Sequence, residues 1–350
     1  MGLLQDTLDN IGLLDRDAMQ AARVRQRRLT KPPGSLGVLE DISVQLAGIT
    51  GSVLADVGNK TIVVMAGDHG VTEEGVSAFP QEVTAQMLLN FVNGGAAINV
   101  LAHCADAKVI VVDVGVAADI RHPGIFGRKV RAGTANFARQ SAMTRREAIQ
   151  ALEVGIEIAD SEIDAGAQLL ATGDMGIGNT TASTALLSAL TGKRVEEVAG
   201  RGTGIEDKTL AHKKAVIEDA IKFHAPNPDD PIDTLAKVGG LEIAALAGLI
   251  LGAAARRVPV VVDGFISSAA ALVAGKLSPQ AVSYMIASHV SVEPGHRVIL
   301  DTLGLKPMLF MDMRLGEGTG AALAMMMVEA ASKIIKEMAT FGEAGVSDKE

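Results

Sequence analysis

The sequence predicts an α/β fold in which helices cover both faces of a mostly parallel sheet. From residue 60 onward, short β-branched or apolar runs end in Gly or Asp and lead into longer Ala-rich segments of helical period, the alternation that a parallel sheet requires. The 350 residues, 48% of them hydrophobic, suffice for one large domain with an accessory region. No strict repeat period favours a solenoid instead.

Residues 1–56 hold two helical patterns separated by Lys31-Pro32-Pro33-Gly34-Ser35, where the prolines disfavour a continuous helix and Gly34 permits the turn. This opening predicts a helical accessory region packed on the main body, with Arg23, Arg25, Arg27, Arg28 and Lys31 on a solvated face. Strands are expected at residues 61–66, 109–113, 168–172, 259–263 and 308–311. Helices are expected at 81–89, 96–105, 147–165, 180–190, 207–223, 240–255 and 321–338, with a Pro/Asp-rich break at 225–231. The domain bounds that follow are 1–56 for the accessory region, packed with part of the C-terminal region, 57–330 for the catalytic domain and 331–350 for a C-terminal helical extension. Ligand chemistry belongs at the carboxyl ends of the strands, where the loops converge.

Only 3% of residues are aromatic, with no Trp and the single tyrosine Tyr284, so the core must be aliphatic and methionine-rich. Stacking platforms for single-stranded nucleic acid are not expected. The net charge of −9, from 32 basic and 41 acidic side chains, disfavours nucleic-acid backbones and anionic membranes as partners. Cys104, the only cysteine, excludes an internal disulfide and is expected to be buried packing. The N-terminus lacks signal-peptide character, and apolar runs such as 246–255 are too short to span a bilayer, so the expectation is a soluble, cytoplasmic protein.

Several strand-end segments carry chemistry. In MLFMDMRLGEGTGAALAMMMVEA, residues 308–330, Glu317 stands between Gly316 and Gly318 where a helix starting near Thr319 presents unpaired N–H groups, which makes it a candidate base. In the loop Gly67–Ser77, Asp68, His69 and Glu73 lack further ligands at diagnostic spacing, so no metal is expected and loop shaping is the better role. Phe79, Val83 and Met87 fall at i, i+4 and i+8, one helical face that suits either a ligand pocket or core packing. Asp174-Met175-Gly176-Ile177-Gly178-Asn179-Thr180-Thr181 suits an anion loop or a structural turn, and matches neither the Walker nor the full dinucleotide fingerprint. Gly200-Arg201-Gly202-Thr203-Gly204, Lys213 and Ser291 can join it in orienting one phosphate, though Lys213 alone suits solvent, Ser291 a helix cap and His296 a backbone partner.

An ordered set of longer signatures extends across most of the chain. It comprises KPPGSLGVLE at 31–40, AGDHGVTEEGVSAFPQEVTAQM at 66–87, GGAAINVLA at 94–102, GTANFARQSAM at 133–143, GDMGIGNTTAS at 173–183, GRGTG at 200–204, VVDGFISSAA at 261–270 and MRLGEGTGAALA at 313–324. With these the chain resembles the nicotinate-nucleotide–dimethylbenzimidazole phosphoribosyltransferases. The resemblance implies transfer of a 5-phosphoribosyl group from nicotinate mononucleotide to 5,6-dimethylbenzimidazole or a related azole. It further implies a homodimer, each chain with a large doubly wound, Rossmann-like domain and a small helical domain from regions near both termini.

The same resemblance puts Glu317 at the catalytic-base position and Asp174 where another member has glutamate, and it implies no metal or redox cofactor, since nicotinate is the leaving group. Phe79, Val83, Met87 and Leu315 would face the acceptor, and Gly176, Gly202, Lys213 and Ser291 the phosphoribosyl group. Phe79 and Met87 replace polar residues of one member, which exchanges ring hydrogen bonds for apolar contact. A nicotinamide-dinucleotide oxidoreductase would need a G-x-G-x-x-G turn with a downstream ribose-binding acid, absent as a unit, and a noncatalytic nucleotide sensor would be expected to lack the strand-end base.

Overall fold

A computed structural model of the chain describes residues 2–347. The N-terminal region forms α1 (Leu3–Asn10), α2 (Arg16–Arg28) and α3 (Val38–Thr50), so the first expected helical pattern is split in two. Asp15 makes the split, capping α2 by accepting from Ala18 N at 2.9 Å. The sheet begins with β1 (Lys60–Gly67) and continues through α4 (Glu82–Val92), α5 (Ala97–Cys104), β2 (Ala107–Gly115) and the short β3 (Ile125–Gly127). Next come α6 (Arg145–Asp164), opened by a Thr144/Glu147 capping box, and β4 (Leu169–Met175). Four helices follow: α7 (Asn179–Thr191), α8 (Val195–Val198), α9 (Asp207–His224) and α10 (Pro231–Val238). In α10 Asp230 caps a first turn that opens with Pro231, placing a helix start within the expected break.

The chain then runs through α11 (Leu241–Ala255), β5 (Val260–Val262), α12 (Phe265–Leu277), β6 (Met285–Ala287), β7 (His289–Val290) and α13 (Pro294–Leu303). It closes with β8 (Leu309–Phe310), α14 (Thr319–Glu337) and α15 (Phe341–Ala344).

Six strands form one sheet in the order β3-β2-β1-β4-β5-β6, and every neighbouring pair is parallel. All eight β1 residues are buried, because the sheet is covered on both sides. Val63 and Met65 join Leu152, Leu246 and Leu249 in one apolar cluster, whereas Ile62, Val64 and Ala66 join Leu88, Ile98 and Met325 in another. The period-two side-chain alternation of β1 therefore feeds two helical layers. α11 is apolar on every face except at Glu242 and, apart from Ala255, buried, consistent with a helix enclosed by neighbours.

The run expected as a strand at 308–311 does not enter this sheet. β8 pairs with β7 in a separate parallel ribbon, Ser288 O accepts from both Met308 N and Leu309 N, and Phe310 and Met311 are exposed. β6 already forms the sheet edge, so the hydrophobic run serves as a short brace before the 312–318 turn. Cys104 is likewise exposed rather than buried. The inward face of α5 is set by Ile98 and Ala102, four residues apart, which turns position 104 outward.

Regions near both ends meet. Ala18, Ala22, Val44, Ala47 and Ile335 share an apolar cluster, Arg25 Nε donates to Ile335 O at 2.5 Å, and Leu29 bridges Thr340. α14 is continuous across residue 330, so it carries the main body into this contact; residues 348–350 of the expected extension lie outside the described residues. The stretch Glu82–Cys104 has the length and composition of a membrane span, but it is interrupted after α4 where Gly94 takes φ +78°.

Helices α6 and α11 cross with backbone nearly touching backbone. A Cβ on Gly155 would lie 1.8 Å from Ala245 O, and one on Gly248 would lie 1.9 Å from Leu152 O. Gly248→Ala must therefore spread two core helices, and we expect a loss of about 3 kcal/mol in urea unfolding. Gly342→Ala, whose Cβ would meet nothing within 4 Å, should stay within about 0.5 kcal/mol of the parent. Equal midpoints for the two variants would refute the close-crossing account.

Candidate active site

The strand order changes direction between β1 and β4, and a crevice lies beyond the carboxyl ends of β4 and its neighbour β5. A cavity of about 470 Å³ occupies it. One wall carries Phe79, Val83 and Met87, another the Gly176–Thr180 loop, a third Gly264, His289, Ser291 and Glu293, and the last Leu315–Glu317. Hydrogen bonds tie parts of this lining together, among them Ile177 N donating to Thr84 Oγ1 at 3.1 Å and Ala78 N to Thr203 Oγ1 at 3.1 Å.

Glu317 sits in a run of left-handed residues, with φ of +85° at Gly316, +62° at Glu317 and +94° at Gly318. For a non-glycine residue this costs about 1–2 kcal/mol, and the surrounding contacts must hold it. Glu317 N donates to Asp174 O at 3.3 Å, and the Glu317 carbonyl packs so tightly on β4 that a Cβ on Gly173 would stand 2.5 Å from it. Its carboxylate Oε2 accepts from Ile98 N at 3.2 Å, in the first turn of α5. Burial raises the Glu317 pKa, the Ile98 N–H pulls it back and the charge of Asp263 raises it again, leaving it above the ordinary glutamate value.

Three further buried acids, Asp174, Asp263 and Glu242, lie in this part of the site. Asp174, at the end of β4, accepts from Asn179 Nδ2 at 3.1 Å, while its Oδ1 is buried with no partner among the described residues. Burial, reinforced by Asp263, Glu242 and Glu317, drives its pKa well above the usual carboxylate range, so Asp174 holds its proton more readily than an exposed aspartate. Asp263 accepts from Gly318 N at 3.2 Å and Ala321 N at 2.9 Å. Glu242 pairs with His69, Oε1 to Nε2 at 2.6 Å, both wholly buried. Burial would lower the His69 pKa, but the Glu242 charge and hydrogen bond, with Asp68, raise it overall. His69 thus shapes the site from beneath: Gly176 has no room for a side chain between Gly67 O, Glu242 and the His69 ring.

The cavity brings together every candidate residue except Lys213. Val83 and Met87 lie on α4, whereas Phe79 precedes that helix and is 53% exposed, so the three share a wall without sharing a helix. Lys213 is fully buried one layer back, donating to Thr180 Oγ1 at 2.8 Å and Gly200 O at 3.3 Å. Burial lowers its pKa to about 8, with Glu293 opposing. Gly202 N donates to Glu293 Oε1 at 2.8 Å, and Ser291 Oγ accepts from Glu293 N at 3.3 Å. His296 takes the backbone role: its Nδ1 accepts from Ser291 N at 2.9 Å, and burial lowers its pKa to about 3.

Asp263, His289, Glu242 and Glu293 are the polar residues that sequence reasoning left without a site role. Asp263 had a usable signal, since it ends an apolar run and precedes glycine, as Asp174 nearly does. Glu242 had none, lying at the start of an almost wholly apolar helix.

A phosphoribosyltransferase family model, DBI_PRT, matches residues 11–346. The nicotinate-nucleotide–dimethylbenzimidazole phosphoribosyltransferase of Chloroflexus aggregans is 61% identical, the match covering 100% of this chain and 99% of that one. Its counterpart in Geotalea uraniireducens is 54% identical, with 100% of both chains covered. Among solved structures, CobT from Thermus thermophilus superposes with a TM-score of 0.92 at 50% identity, covering 95% of this chain and 100% of that one.

The burial of Asp174 has a measurable sign. Its raised folded-state pKa means that the folded protein loses stability as pH climbs from the ordinary aspartate value of 3.8 through the raised one, a penalty absent below 3.8 where both states are protonated. Asp174→Asn keeps an acceptor for Asn179 and removes the charge. We expect its thermal midpoint to exceed the parent's by about 2 °C or more at pH 8, the gap closing toward pH 5. A gap that widens on acidification would contradict this.

Proposed function

The chain belongs to the nicotinate-nucleotide–dimethylbenzimidazole phosphoribosyltransferase family, and from that membership we propose how its cavity carries out the transfer. The enzyme moves the 5-phosphoribosyl group of nicotinate mononucleotide to 5,6-dimethylbenzimidazole, releasing nicotinate and α-ribazole 5′-phosphate. The observation that carries the residue assignment is Glu317, a buried carboxylate held in a strained turn on the wall of the main cavity.

One ring nitrogen of the acceptor attacks the ribosyl C1 as the bond from C1 to the pyridinium nitrogen of nicotinate breaks. The bonding pair leaves with nicotinate, which needs little acid help because it departs from a cationic linkage. Positive charge spreads over the N–C–N unit of the benzimidazole, and Glu317 takes the proton from its other nitrogen. A raised Glu317 pKa suits this task, since a stronger base accepts that proton at a small cost in the fraction ionised. Attack from the face opposite nicotinate turns β into α configuration in a single displacement, with no protein nucleophile.

Asp174, held toward its neutral form, positions the Glu317 turn through its carbonyl and meets substrate as a hydrogen-bond donor. Phe79, Val83, Met87 and Leu315 supply an apolar slot for the acceptor ring, open to related azoles. Gly176, Gly202 and Ser291 receive the phosphate, and Lys213 contributes charge from behind Thr180. The strand order β3-β2-β1-β4-β5-β6 supports a doubly wound, Rossmann-like catalytic domain at 57–330, and the contacts of α2, α3 and α14 support a small helical unit from 1–56 and 331–350.

A homodimer is supported by exposed Leu89, Val100 and Phe126 on α4, α5 and the edge strand β3, an apolar area that a second copy would cover. Val100→Glu should shift sedimentation from dimer to monomer; a parent that sediments as a monomer at micromolar concentration would rule the dimer out.

Incubation of the purified protein with nicotinate mononucleotide and 5,6-dimethylbenzimidazole should release nicotinate and α-ribazole 5′-phosphate in equal amounts by chromatography. Benzimidazole and other azoles in the same assay read the breadth of the acceptor slot. Glu317→Gln, close in size but unable to take the proton, should lower kcat by about 100-fold or more while substrate binding by calorimetry persists. Undiminished turnover in that variant would remove Glu317 from the role of base.

A further inference from the structure

We propose that Asp263 is a positioning residue for this reaction, a clamp that holds the 316–319 turn and so aims the Glu317 carboxylate into the cavity. The inference rests on Glu317 being the base. Helix α14 begins immediately after that base, and its cap position is Gly318, which has no side chain to satisfy the first-turn N–H groups. Asp263 supplies the missing cap from another element 55 residues away: Oδ2 accepts from Gly318 N at 3.2 Å and Oδ1 from Ala321 N at 2.9 Å. Both oxygens receive N–H donors at the positive end of a helix, which favours the ionised carboxylate, although burial outweighs these donors and leaves the Asp263 pKa above the ordinary aspartate value.

Asp263 is itself fixed by the sheet. It follows β5 directly, its backbone N donates to Thr172 Oγ1 on β4 at 3.0 Å, and it is only 1% exposed. It does not line the cavity. His289 stands between, with Nδ1 3.9 Å from Asp263 Oδ1 and its ring packed where a Cβ on Gly320 would lie 2.0 Å from Nδ1. Asp263 therefore acts on the cavity indirectly, through the turn it grips and through neighbouring His289. That turn is the one segment of the cavity wall with a non-glycine residue in left-handed conformation, and Glu317 N and Gly318 N are bonded to Asp174 O and Asp263 in succession.

The titratable neighbours of the pair are Asp174 from β4, Glu242 from α11 and His289 from β7. Of these acids Asp263 is the one whose charge raises the Glu317 pKa, so its removal has a signature that lost packing alone would not produce. Asp263→Asn should cut kcat tenfold or more, with KM for nicotinate mononucleotide changing far less. The acid limb of kcat/KM should also move to lower pH as the repelling charge disappears. Asp263→Glu keeps the charge and loses the clamp geometry, so its acid limb should stay in place while kcat falls. It also carries the test if the Asn variant fails to fold by circular dichroism. A folded Asp263→Asn with parental kcat and an unmoved limb would overturn the clamp. If Glu317→Gln is crippled and these variants are not, the base stands and the clamp fails; if Glu317→Gln turns over normally, the base assignment itself fails.

Discussion

Three consecutive left-handed residues, Gly316, Glu317 and Gly318, set the terms for the structure around the cavity. The turn presses the Glu317 carbonyl onto β4, so position 173 must be glycine, and it leaves α14 without a local cap, so an acceptor must come from elsewhere. β4 and β5 meet both demands because they are adjacent in the sheet: Asp174 gives its carbonyl to Glu317 N, and Asp263 receives Gly318 N. A close-packed interior relaxes poorly, so a change in any one of these residues is transmitted to the others.

The second organising feature is electrostatic. Asp174, Glu242, Asp263 and Glu317 arrive from four places in the chain and repel one another in a buried setting. Backbone N–H groups at the starts of α5 and α14 and the His69 ring offset part of that repulsion. The residual strain is the kind that active sites hold at the expense of stability. In the proposed transfer both partners are nitrogen heterocycles that carry positive charge, and the preorganised Glu317 carboxylate, beside an Asp174 held toward its neutral form, suits that charge.

The fold was legible where burial is two-sided. β1, β2, β4 and β5 read as apolar runs because both of their faces are covered, and the helical pattern at 147–165 finds α6 two residues after its capped start. β3, β6 and β7 are two or three residues long, too short to leave a periodic trace, and α12 merges with the apolar strand before it. The run at 308–311 is as hydrophobic as a sheet strand, yet β6 holds the sheet edge and the run pairs with β7. Cys104 and Phe79 depart from expectation for one reason, that an apolar residue's place depends on which face its element turns inward and where that element starts.

The sequence by itself determined the chemistry available: a glycine-flanked carboxylate, glycine loops open to a phosphate, an apolar stripe for a ring, and the ordered signatures that identify the family. Only the tertiary structure decided how these act together. It put Lys213 behind Thr180, sealed His69 against Glu242, and made Asp263 the cap beside Glu317. The contacts that fix Glu317 come from Ile98, 219 residues away, and through Gly318 from Asp263, 55 away. Hydrogen bonds of that range follow no spacing rule, because they depend on which strands become neighbours and where each strand ends.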